Sequence, residues 1–379
     1  MLDTFNYNAI DKTIKLVLIG GGHSHAIALK LWSENILSNV DLTLISDVEN
    51  APYSGMLPGH VAGFYSYKET HIDLVSLAKN AKVNLIIDKA IELDFENNRV
   101  ICQHHNPVSF DYLSLDIGST PKTSSVPGAA ENAVAAKPVP LFLNAWYELL
   151  ETIENNPELL SKITIIGGGA GGVELALNMN YRLRKENVEI TLVHRGDSLL
   201  PGHNNKVGRL LTKRLKQKGI KLYLNTEVTA IEKDKVICKN NFYIDTDYTF
   251  WVTQADSPQW IKNSPLAQTQ GGFILVNNDL QSVSHPHVFA TGDIATIENN
   301  PRPKAGVFAV RQGKPLYNNW ISSIVKQPLQ SYIPQENYLA LIGTGDKKAI
   351  ASWNNFCWQS SLLWYLKDYI DRKFMQQFK

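Results

Sequence analysis

Two glycine-rich turns constrain the fold of this 379-residue chain more than any other feature. Each follows an apolar, strand-like run and opens an apolar-periodic helix, in KLVLIGGGHSHAIALKLW and in KITIIGGGAGGVELALNM. In such a turn the glycines allow a tight bend and a close approach of the backbone to a phosphate group, which lies on the helix N-terminus. Two turns of this kind in one chain predict two bound dinucleotides, and so electron transfer between them.

The two turns differ at the third glycine position. The second turn has the complete spacing, whereas the first has His25 where the third glycine is expected. Two interpretations of His25 stay open, a phosphate contact or a histidine packed at the start of a helix. The residues assigned to the turns are Gly20, Gly22, His23 and His25 in the first and Gly167, Gly169 and Gly172 in the second.

Composition excludes several classes of function. The net charge is +1, so nothing indicates a nucleic-acid partner. No apolar run approaches the roughly 18–20 residues that span a bilayer, and the polar N-terminus with Asp3 and Asp11 is unlike a signal peptide. The cysteines Cys102, Cys238 and Cys357 lie far apart, without a redox or metal-ligand spacing. We therefore expect a cytoplasmic protein with inert thiols and no metal site.

The order of predicted elements indicates an α/β fold. Strand–turn–helix–strand patterns begin at Ile14 and at Lys162, and a segment rich in Pro, Ser and Ala over 119–138 predicts a linker between them. The last part of the chain predicts a β-hairpin over 337–353 and an amphipathic helix. Each of the two patterns is typical of a Rossmann-like, dinucleotide-binding domain.

Two further runs carry a family resemblance. HPHVFATGD at 285–293 ends a predicted strand with Thr-Gly-Asp, and FDYLSLDIGS at 110–119 predicts a strand that returns to the first nucleotide. With both glycine turns, the chain resembles the pyridine nucleotide-disulfide oxidoreductase superfamily. The resemblance implies FAD in the first domain and NAD(P)H in a second domain inserted into it. The expected bounds are 1–125 and 276–328 for the FAD domain, 126–275 for the NAD(P) domain and 329–379 for a small C-terminal α+β segment.

A narrower resemblance covers the chain from about residue 14 to 375. It rests on PYSGMLPG at 52–59, HIDL at 71–74, LLPGHN at 199–204, PRPKAGVFAVRQG at 301–313 and the C-terminal YLALIGTGDKKAIASW. Together these motifs resemble the type II NADH dehydrogenase-like flavoproteins, especially the subgroup found fused to, or beside, selenide, water dikinase.

The resemblance implies residues for the flavin site. Asp293 is expected to hold the ribityl chain. The acid that would bind the adenosine ribose is missing, and Ser46 stands there, with Asp47 as the fallback. The helix that begins near Lys304 is expected to direct its N–H groups at the flavin pyrimidine and stabilise charge on the reduced ring. The other residues assigned to the flavin are Gly118, Gly292, Ala305, Gly306 and Val307.

The second nucleotide site lacks an acid too. His194 and Arg195 stand where an NAD site would have a glutamate, and an arginine accepts a 2′-phosphate that a carboxylate would repel. The expected co-substrate is therefore NADPH, or either NADPH or NADH. Gln254 replaces a family glycine, which leaves a decayed nicotinamide site as an alternative. Glu174 is either a proton or positioning group near the nicotinamide or a glutamate that only suits the helix dipole.

No cysteine lies in 53–58, where disulfide reductases carry their redox pair. The predicted function is an FAD-dependent NAD(P)H dehydrogenase that passes a hydride to the flavin and then electrons to a quinone-like or other small acceptor. Its catalytic candidates are Glu174 and Lys304. Of the two glutamines that line the quinone site in the resembling dehydrogenases, one is replaced by Gly306 and the other is matched by Gln312. The alternative is a flavin-binding regulatory or accessory protein.

The C-terminal helix has one wide apolar face, with its basic residues Lys367, Arg372 and Lys373 toward the other side. In the resembling dehydrogenases such helices dock the enzyme on the membrane. Two interpretations stay open: peripheral attachment at the inner face of the membrane, or packing of this face over the flavin domain or in a homodimer. The face comprises Trp358, Leu362, Tyr365, Leu366 and Tyr369.

Overall fold

A computed structural model of the chain describes residues 13–121, 126–253 and 255–379. The helices are α1 (His23–Glu34), α2 (Leu57–Val61), α3 (Tyr67–Thr70), α4 (Leu74–Ala81), α5 (Ala129–Asn132), α6 (Val139–Asn155), α7 (Ala170–Arg182), α8 (Asn205–Gln217), α9 (Gln259–Lys262), α10 (Gly306–Ile324) and α11 (Ser361–Gln376). Short 3-10 turns lie at Lys239–Asn241 and Gly292–Ile294.

The strands alternate with these helices. They are β1 (Ile14–Ile19), β2 (Val40–Ser46), β3 (Asn50–Pro52), β4 (His71–Asp73), β5 (Asn84–Ile87), β6 (Ala90–Asp94), β7 (Arg99–Cys102), β8 (Val108–Ser109), β9 (Tyr112–Leu115), β10 (Thr120–Pro121), β11 (Val134–Ala135), β12 (Ser161–Ile166), β13 (Val188–Val193), β14 (Lys221–Tyr223), β15 (Val228–Ile231), β16 (Lys235–Cys238), β17 (Tyr243–Asp245), β18 (Tyr248–Trp251), β19 (Ala255–Asp256), β20 (Ile274–Val276), β21 (Val288–Ala290), β22 (Ala295–Ile297), β23 (Ala340–Gly343), β24 (Ala349–Trp353) and β25 (Phe356–Ser360).

The first sheet is parallel, with the strand order β21-β9-β1-β2-β5. Consecutive residues of β1 and β2 are buried, and because neighbouring residues of a strand point to opposite faces, both faces of this sheet are covered. Helix α1 packs against α10 and α4. The chain leaves this sheet after β9 and returns to it at β21.

The second sheet, formed between those two points, repeats the plan of the first. Its order is β11-β18-β12-β13-β14, and all its pairs are parallel. A three-stranded antiparallel sheet accompanies each parallel sheet, β6-β7-β8 in the first case and β15-β16-β17 in the second. The predicted α/β class with two Rossmann-like units is confirmed. The numerical domain bounds stay a prediction.

The C-terminal segment differs from its prediction. The hairpin of β23 and β24 gains a third antiparallel strand, β25, and α11 begins only at Ser361. Trp358, predicted on the helix, therefore lies on a strand. The helix begins where it does because the hydroxyl of Ser360 accepts the N–H of Leu363 and caps the first turn. Among the described residues, no helix is both long and apolar enough to cross a membrane.

Candidate functional site

A cavity of about 780 Å³ lies at the carboxyl ends of β1, β2 and β9, the edge at which open α/β sheets bind ligands. The first glycine turn forms its floor, and the turn after β21 closes one side. The predicted flavin residues that line it are Gly20, Gly22, His23, Ser46, Asp47, Gly118, Gly292, Asp293, Lys304 and Gly306. One end of the cavity is thus polar and backbone-rich, as a dinucleotide requires.

The first glycine turn has no room for larger residues. Gly20 has a φ of +90°, and a Cβ built on Gly20 or Gly22 would collide with Asp116. The missing side chains let the turn pack directly against Asp116 at the start of α1. The N–H groups and the dipole of that helix favour a phosphate there, so the turn fits the diphosphate of FAD.

His25 does not reach this cavity. Its ring is buried, with Nδ1 2.6 Å from the carbonyl oxygen of Gly20 and Nε2 2.8 Å from Oγ of Ser114. Burial lowers the pKa of His25 to about 4, so the ring is neutral near pH 7. Of the two interpretations, the structure favours packing. His23 does line the cavity, and its ring meets that of Tyr53 edge to face.

Asp293 forms the charged centre of the cavity wall. Its Oδ2 accepts hydrogen bonds from Nζ of Lys137 at 2.6 Å and from Oγ of Ser119 at 3.1 Å. Burial acts to raise the pKa of Asp293, but the charge and hydrogen bond of Lys137 outweigh it and hold the pKa below its usual value. The carboxylate is therefore ionised and fixed. Sequence reasoning missed Lys137 because it lies in the predicted linker, where a single lysine in the apolar run AAKPVP was the available signal.

The end of the cavity predicted for the adenosine ribose offers one free carboxylate. Ser46 uses its hydroxyl locally, since Oγ donates to the carbonyl oxygen of Val48 at 2.8 Å and accepts the N–H of that residue at 3.3 Å. Asp47 is exposed and lines the cavity. The geometry thus favours Asp47, the fallback, over Ser46 as a ribose ligand.

Lys304 lines the cavity, but its ammonium is committed to the protein. Nζ donates to the carbonyl oxygen of Ala295 and, at 2.8 Å, to Oγ1 of Thr296, and it lies 4.2 Å from the centre of the Phe273 ring. Burial lowers the pKa of Lys304 to about 8, although Asp293 opposes this. These contacts argue against the predicted catalytic role and for a structural one.

The helix predicted to face the flavin begins at Gly306, with Ala305 as its N-cap. Gly306 lines the cavity, whereas Ala305 lines a smaller neighbouring space and Val307 lines neither. The buried side chain of Gln312, nearly two turns further on, accepts the N–H of Gly292 at 2.7 Å through Oε1. Gln312 therefore supports the turn that carries Asp293, and it also lines the smaller neighbouring space.

In the second glycine turn, the start of α7 lies close to the backbone of the preceding loop. Gly167 has a φ of +132°, and a Cβ on Gly172 would collide with the carbonyl oxygen of Gly167. His194 packs beneath the turn and accepts the N–H of Gly168 through Nδ1 at 3.2 Å. Arg195 is exposed beside it. Arg195 is thus free to meet a ligand, and His194 shapes the turn. Gln254, on which the decayed-site alternative depends, lies outside the described residues.

Glu174 lies in the second turn of α7 and faces the C-terminal segment. Its Oε1 accepts the N–H of Gly343 at 2.7 Å. Burial raises the pKa of Glu174 to about 6, against the opposing effects of Lys367 and of this hydrogen bond. Glu174 does not line the cavity, and its carboxyl group holds the end of β23, so it is not a glutamate that only suits the helix dipole. A proton or positioning role near the nicotinamide stays a prediction.

Lys367 lies on the side of α11 away from the aromatic face, as predicted, but that side packs inward and the lysine side chain is only 17% exposed. Its Nζ donates to Oδ2 of Asp371 at 2.7 Å and to the carbonyl oxygen of Gly55 at 2.6 Å, while Tyr53 donates to Oδ1 of Asp371 at 3.2 Å. The ring of Tyr53 stacks on Phe374 with 4.5 Å between the centroids. The segment at the usual redox-cysteine position is thus joined to α11 by hydrogen bonds of Tyr53 and Gly55 to the Lys367–Asp371 ion pair, which sequence periodicity alone did not indicate.

The predicted apolar face of α11 points to solvent. Leu362 is 69% exposed and Tyr369 61% exposed, and Trp358, Tyr365 and Leu366 are exposed as well. The interpretation that this face packs over the flavin domain is therefore wrong. The opposite face, with Leu363, Lys367, Asp371 and Met375, is the one that packs inward. The other two interpretations, contact with a membrane and contact in a homodimer, stay predictions.

Residues 14–313 match the family described as pyridine nucleotide-disulphide oxidoreductase. The chain belongs to this family. Among its relatives, the NADH dehydrogenase-like protein YutJ of Bacillus subtilis is 22% identical over 337 residues, which cover 88% of this chain and 91% of that protein. The match confirms the predicted superfamily and the FAD- and NAD(P)H-dependent oxidoreductase class.

Solved structures share the fold at low sequence identity. The sulfide:quinone oxidoreductase of Aquifex aeolicus aligns with a TM-score of 0.79 at 22% identity, over 96% of this chain and 91% of that one. NDH2 of Plasmodium falciparum in complex with NADH aligns with a TM-score of 0.83 at 16% identity, over 97% of this chain and 98% of that one. These likenesses confirm the two-dinucleotide architecture.

This pyridine nucleotide-disulphide oxidoreductase has no cysteine in the wall of its cavity. Cys102 and Cys238 are buried, Cys357 is half-buried, and burial raises the pKa of each thiol. A raised pKa makes a thiol a poor nucleophile. Within the described part of the chain, no cluster of His, Cys, Asp or Glu is arranged to hold a metal ion.

Proposed function

We propose that this protein is an FAD-dependent NAD(P)H dehydrogenase that passes electrons to a quinone-like or other small acceptor without a redox disulfide. The observation that carries the proposal is the single cavity shared by the first glycine turn and the Asp293–Lys137 pair. Bound FAD would supply the hydride acceptor and the electron carrier. The finer relationship to the subgroup found beside selenide, water dikinase is part of the proposal and rests on the motifs given above.

The residues present fit FAD. The cavity volume lies within the range of roughly 300–1,000 Å³ typical of small-molecule sites. The glycine turn would hold the diphosphate, Asp293 the ribityl hydroxyls and Asp47 the adenosine ribose. Arg195, exposed beside the second turn, supports NADPH as the preferred co-substrate, because a guanidinium binds a 2′-phosphate through two parallel hydrogen bonds.

Anaerobic titration of the purified protein tests this function. NADPH should rapidly bleach the flavin absorbance. A subsequent screen of quinones, sulfur and selenium compounds and O2 should then identify the oxidant that restores this absorbance. A flavin-binding regulatory or accessory protein would be equally yellow but would stay oxidised with both nucleotides. A colourless preparation that FAD cannot reconstitute would contradict the proposal altogether.

A quinone-like acceptor is supported by two observations. The named activity of the Aquifex aeolicus relative is that of a sulfide-quinone reductase. The apolar face of α11 is exposed, and so are the aromatic side chains of Trp353 and Phe356 at the turn between β24 and β25. Amphipathic helices with such faces lie in membrane interfaces, where lipid-soluble quinones reside. We therefore propose peripheral membrane contact through this surface.

Flotation with phospholipid vesicles tests the membrane contact. We expect the wild type to float and the double variant Leu362→Glu/Leu366→Glu to stay in solution, because each buried leucine contributes about 1.5–3 kcal/mol. Leu159→Glu, at a leucine that is 66% exposed on another part of the surface, is the control. If the wild type does not float but is a dimer that the double variant dissociates, the surface is a homodimer interface instead.

A further inference from the structure

A buried carboxyl group lies between the two turns that line the cavity. Asp116 follows β9 directly and is 3% exposed. A Cβ built on Gly22 would meet its carboxyl group from one side, and a Cβ built on Gly292 would meet Oδ1 from the other. Two glycines therefore make room for this one acid. Sequence reasoning passed over it as part of a strand.

Asp116 occupies the N-terminus of α1. Its Oδ2 accepts the N–H of Ser24 at 2.8 Å and that of His25 at 3.1 Å, and its carbonyl oxygen accepts the N–H of Gly22 at 3.2 Å. Asp116 also lines the cavity. The helix end that a diphosphate would use is thus already shared with a carboxyl group of the protein.

The charges around Asp116 leave it without a cation of its own. From α1 it faces His23 and His25, and burial lowers the pKa of each to about 4, so both are neutral near pH 7. From the turn after β21 it faces Asp293, a second carboxylate, whose partner is Lys137. Lys304, which also lines the cavity, donates instead to Ala295 and Thr296.

We propose that Asp116 is a cofactor-binding residue outside the glycine motif, which takes up one proton when the diphosphate of FAD binds and then serves as a neutral carboxyl group. The inference rests on the proposed FAD site. Two anionic groups on one helix end repel each other, and protonation of the weaker acid removes the repulsion while Oδ2 keeps its two N–H donors. Burial already raises the pKa of Asp116 to about 7, with a further contribution from Asp293.

Calorimetric titration of flavin-free protein with FAD measures the proton directly. Binding at pH 8 in two buffers with different ionisation enthalpies should show uptake of about one proton per FAD. The FAD-bound state then holds more protons than the free state, so affinity falls as pH rises. The dissociation constant should increase about tenfold from pH 6 to pH 8.

Asp116→Asn is the decisive variant, because the amide oxygen can still accept both N–H groups without titrating. The variant should take up no proton when FAD binds, and its dissociation constant for FAD should be the same at pH 6 and pH 8. At pH 8 it should bind FAD about tenfold more tightly than the wild type. A purely structural role for the acid predicts weaker binding of this variant at every pH. Weaker binding at pH 8 would therefore overturn the proposal.

Two further variants assign the proton. Lys304→Met removes the other nearby group whose pKa lies near 8, and it should keep the uptake. Asp293→Asn should also keep the proton uptake, even though its affinity for FAD is expected to be lower. If either loses the uptake while Asp116→Asn retains it, the proton belongs elsewhere. Wild type that does not bind FAD contradicts the proposed function, whereas FAD binding without proton uptake contradicts only the role of Asp116.

Discussion

Replacing Asp293 with alanine is expected to raise the dissociation constant of FAD by roughly 10- to 150-fold, the equivalent of one lost charge-assisted contact of about 1.5–3 kcal/mol. The carboxylate is ionised and held in place by Lys137 and Ser119 at the cavity wall. Its removal would delete the proposed ribityl contact and leave the ammonium of Lys137 without its ion-pair partner. Flavin content after purification and FAD titration of the flavin-free protein measure the effect.

Asp94→Ala is the matched control. It also removes an acid from an ion pair, with Arg99 at 2.8 Å, but Asp94 is not among the residues that line the cavity. Surface pairs of this kind contribute about 0–1 kcal/mol, so flavin content should match the wild type. Equal losses of flavin in both variants would indicate a general loss of stability, and full occupancy in Asp293→Ala would place the ribityl chain elsewhere.

Replacing Arg195 with glutamate is expected to reverse the coenzyme preference. The wild type should reduce its flavin with NADPH at least as well as with NADH, and the variant should change the ratio of kcat/KM values by on the order of 100-fold in favour of NADH. A carboxylate at this position repels the 2′-phosphate and accepts a hydrogen bond from a 2′-hydroxyl. Stopped-flow reduction with each nucleotide measures both constants.

Lys185→Glu reverses a charge before the opposite end of the same strand, β13, and should leave the ratio unchanged. A strong NADH preference in the wild type that Arg195→Glu does not alter would show that the 2′-end of the nucleotide is bound by other residues. A loss of both activities in Arg195→Glu, with flavin retained, would instead mean that Arg195 binds a part common to both nucleotides.

Local patterns were sufficient for the fold and for much of the flavin site. Apolar runs next to glycine turns specify strand–turn–helix units because only glycine has the positive φ and the missing Cβ that Gly20 and Gly167 require. Thr-Gly-Asp at the end of an apolar run carried the family resemblance that assigned Asp293 to the flavin, and Asp293 does line the cavity. These signals work because each depends on neighbours within a few positions of the chain.

The partners of those residues came from distant parts of the sequence. Lys137 pairs with Asp293, Asp116 caps α1, and Lys367 pairs with Asp371 while holding the carbonyl oxygen of Gly55. Helical periodicity placed Lys367 on the side of α11 opposite the aromatic face, but it did not indicate that this side packs inward, because a charged side chain on an amphipathic helix is usually exposed. Its burial depends on an ion pair and on a backbone segment more than 300 positions away, which no local pattern contains.

The sequence by itself therefore determined the two dinucleotide folds and the absence of cysteines from the usual redox position, since each follows from residue type and short-range spacing. Only the tertiary structure decided which charged groups share the cavity, that His25 packs while His23 lines the wall, and that the aromatic face of α11 points outward. Burial and charge pairing set these outcomes, and both are properties of the assembled chain, in which desolvation and proximity act together on residues far apart in sequence.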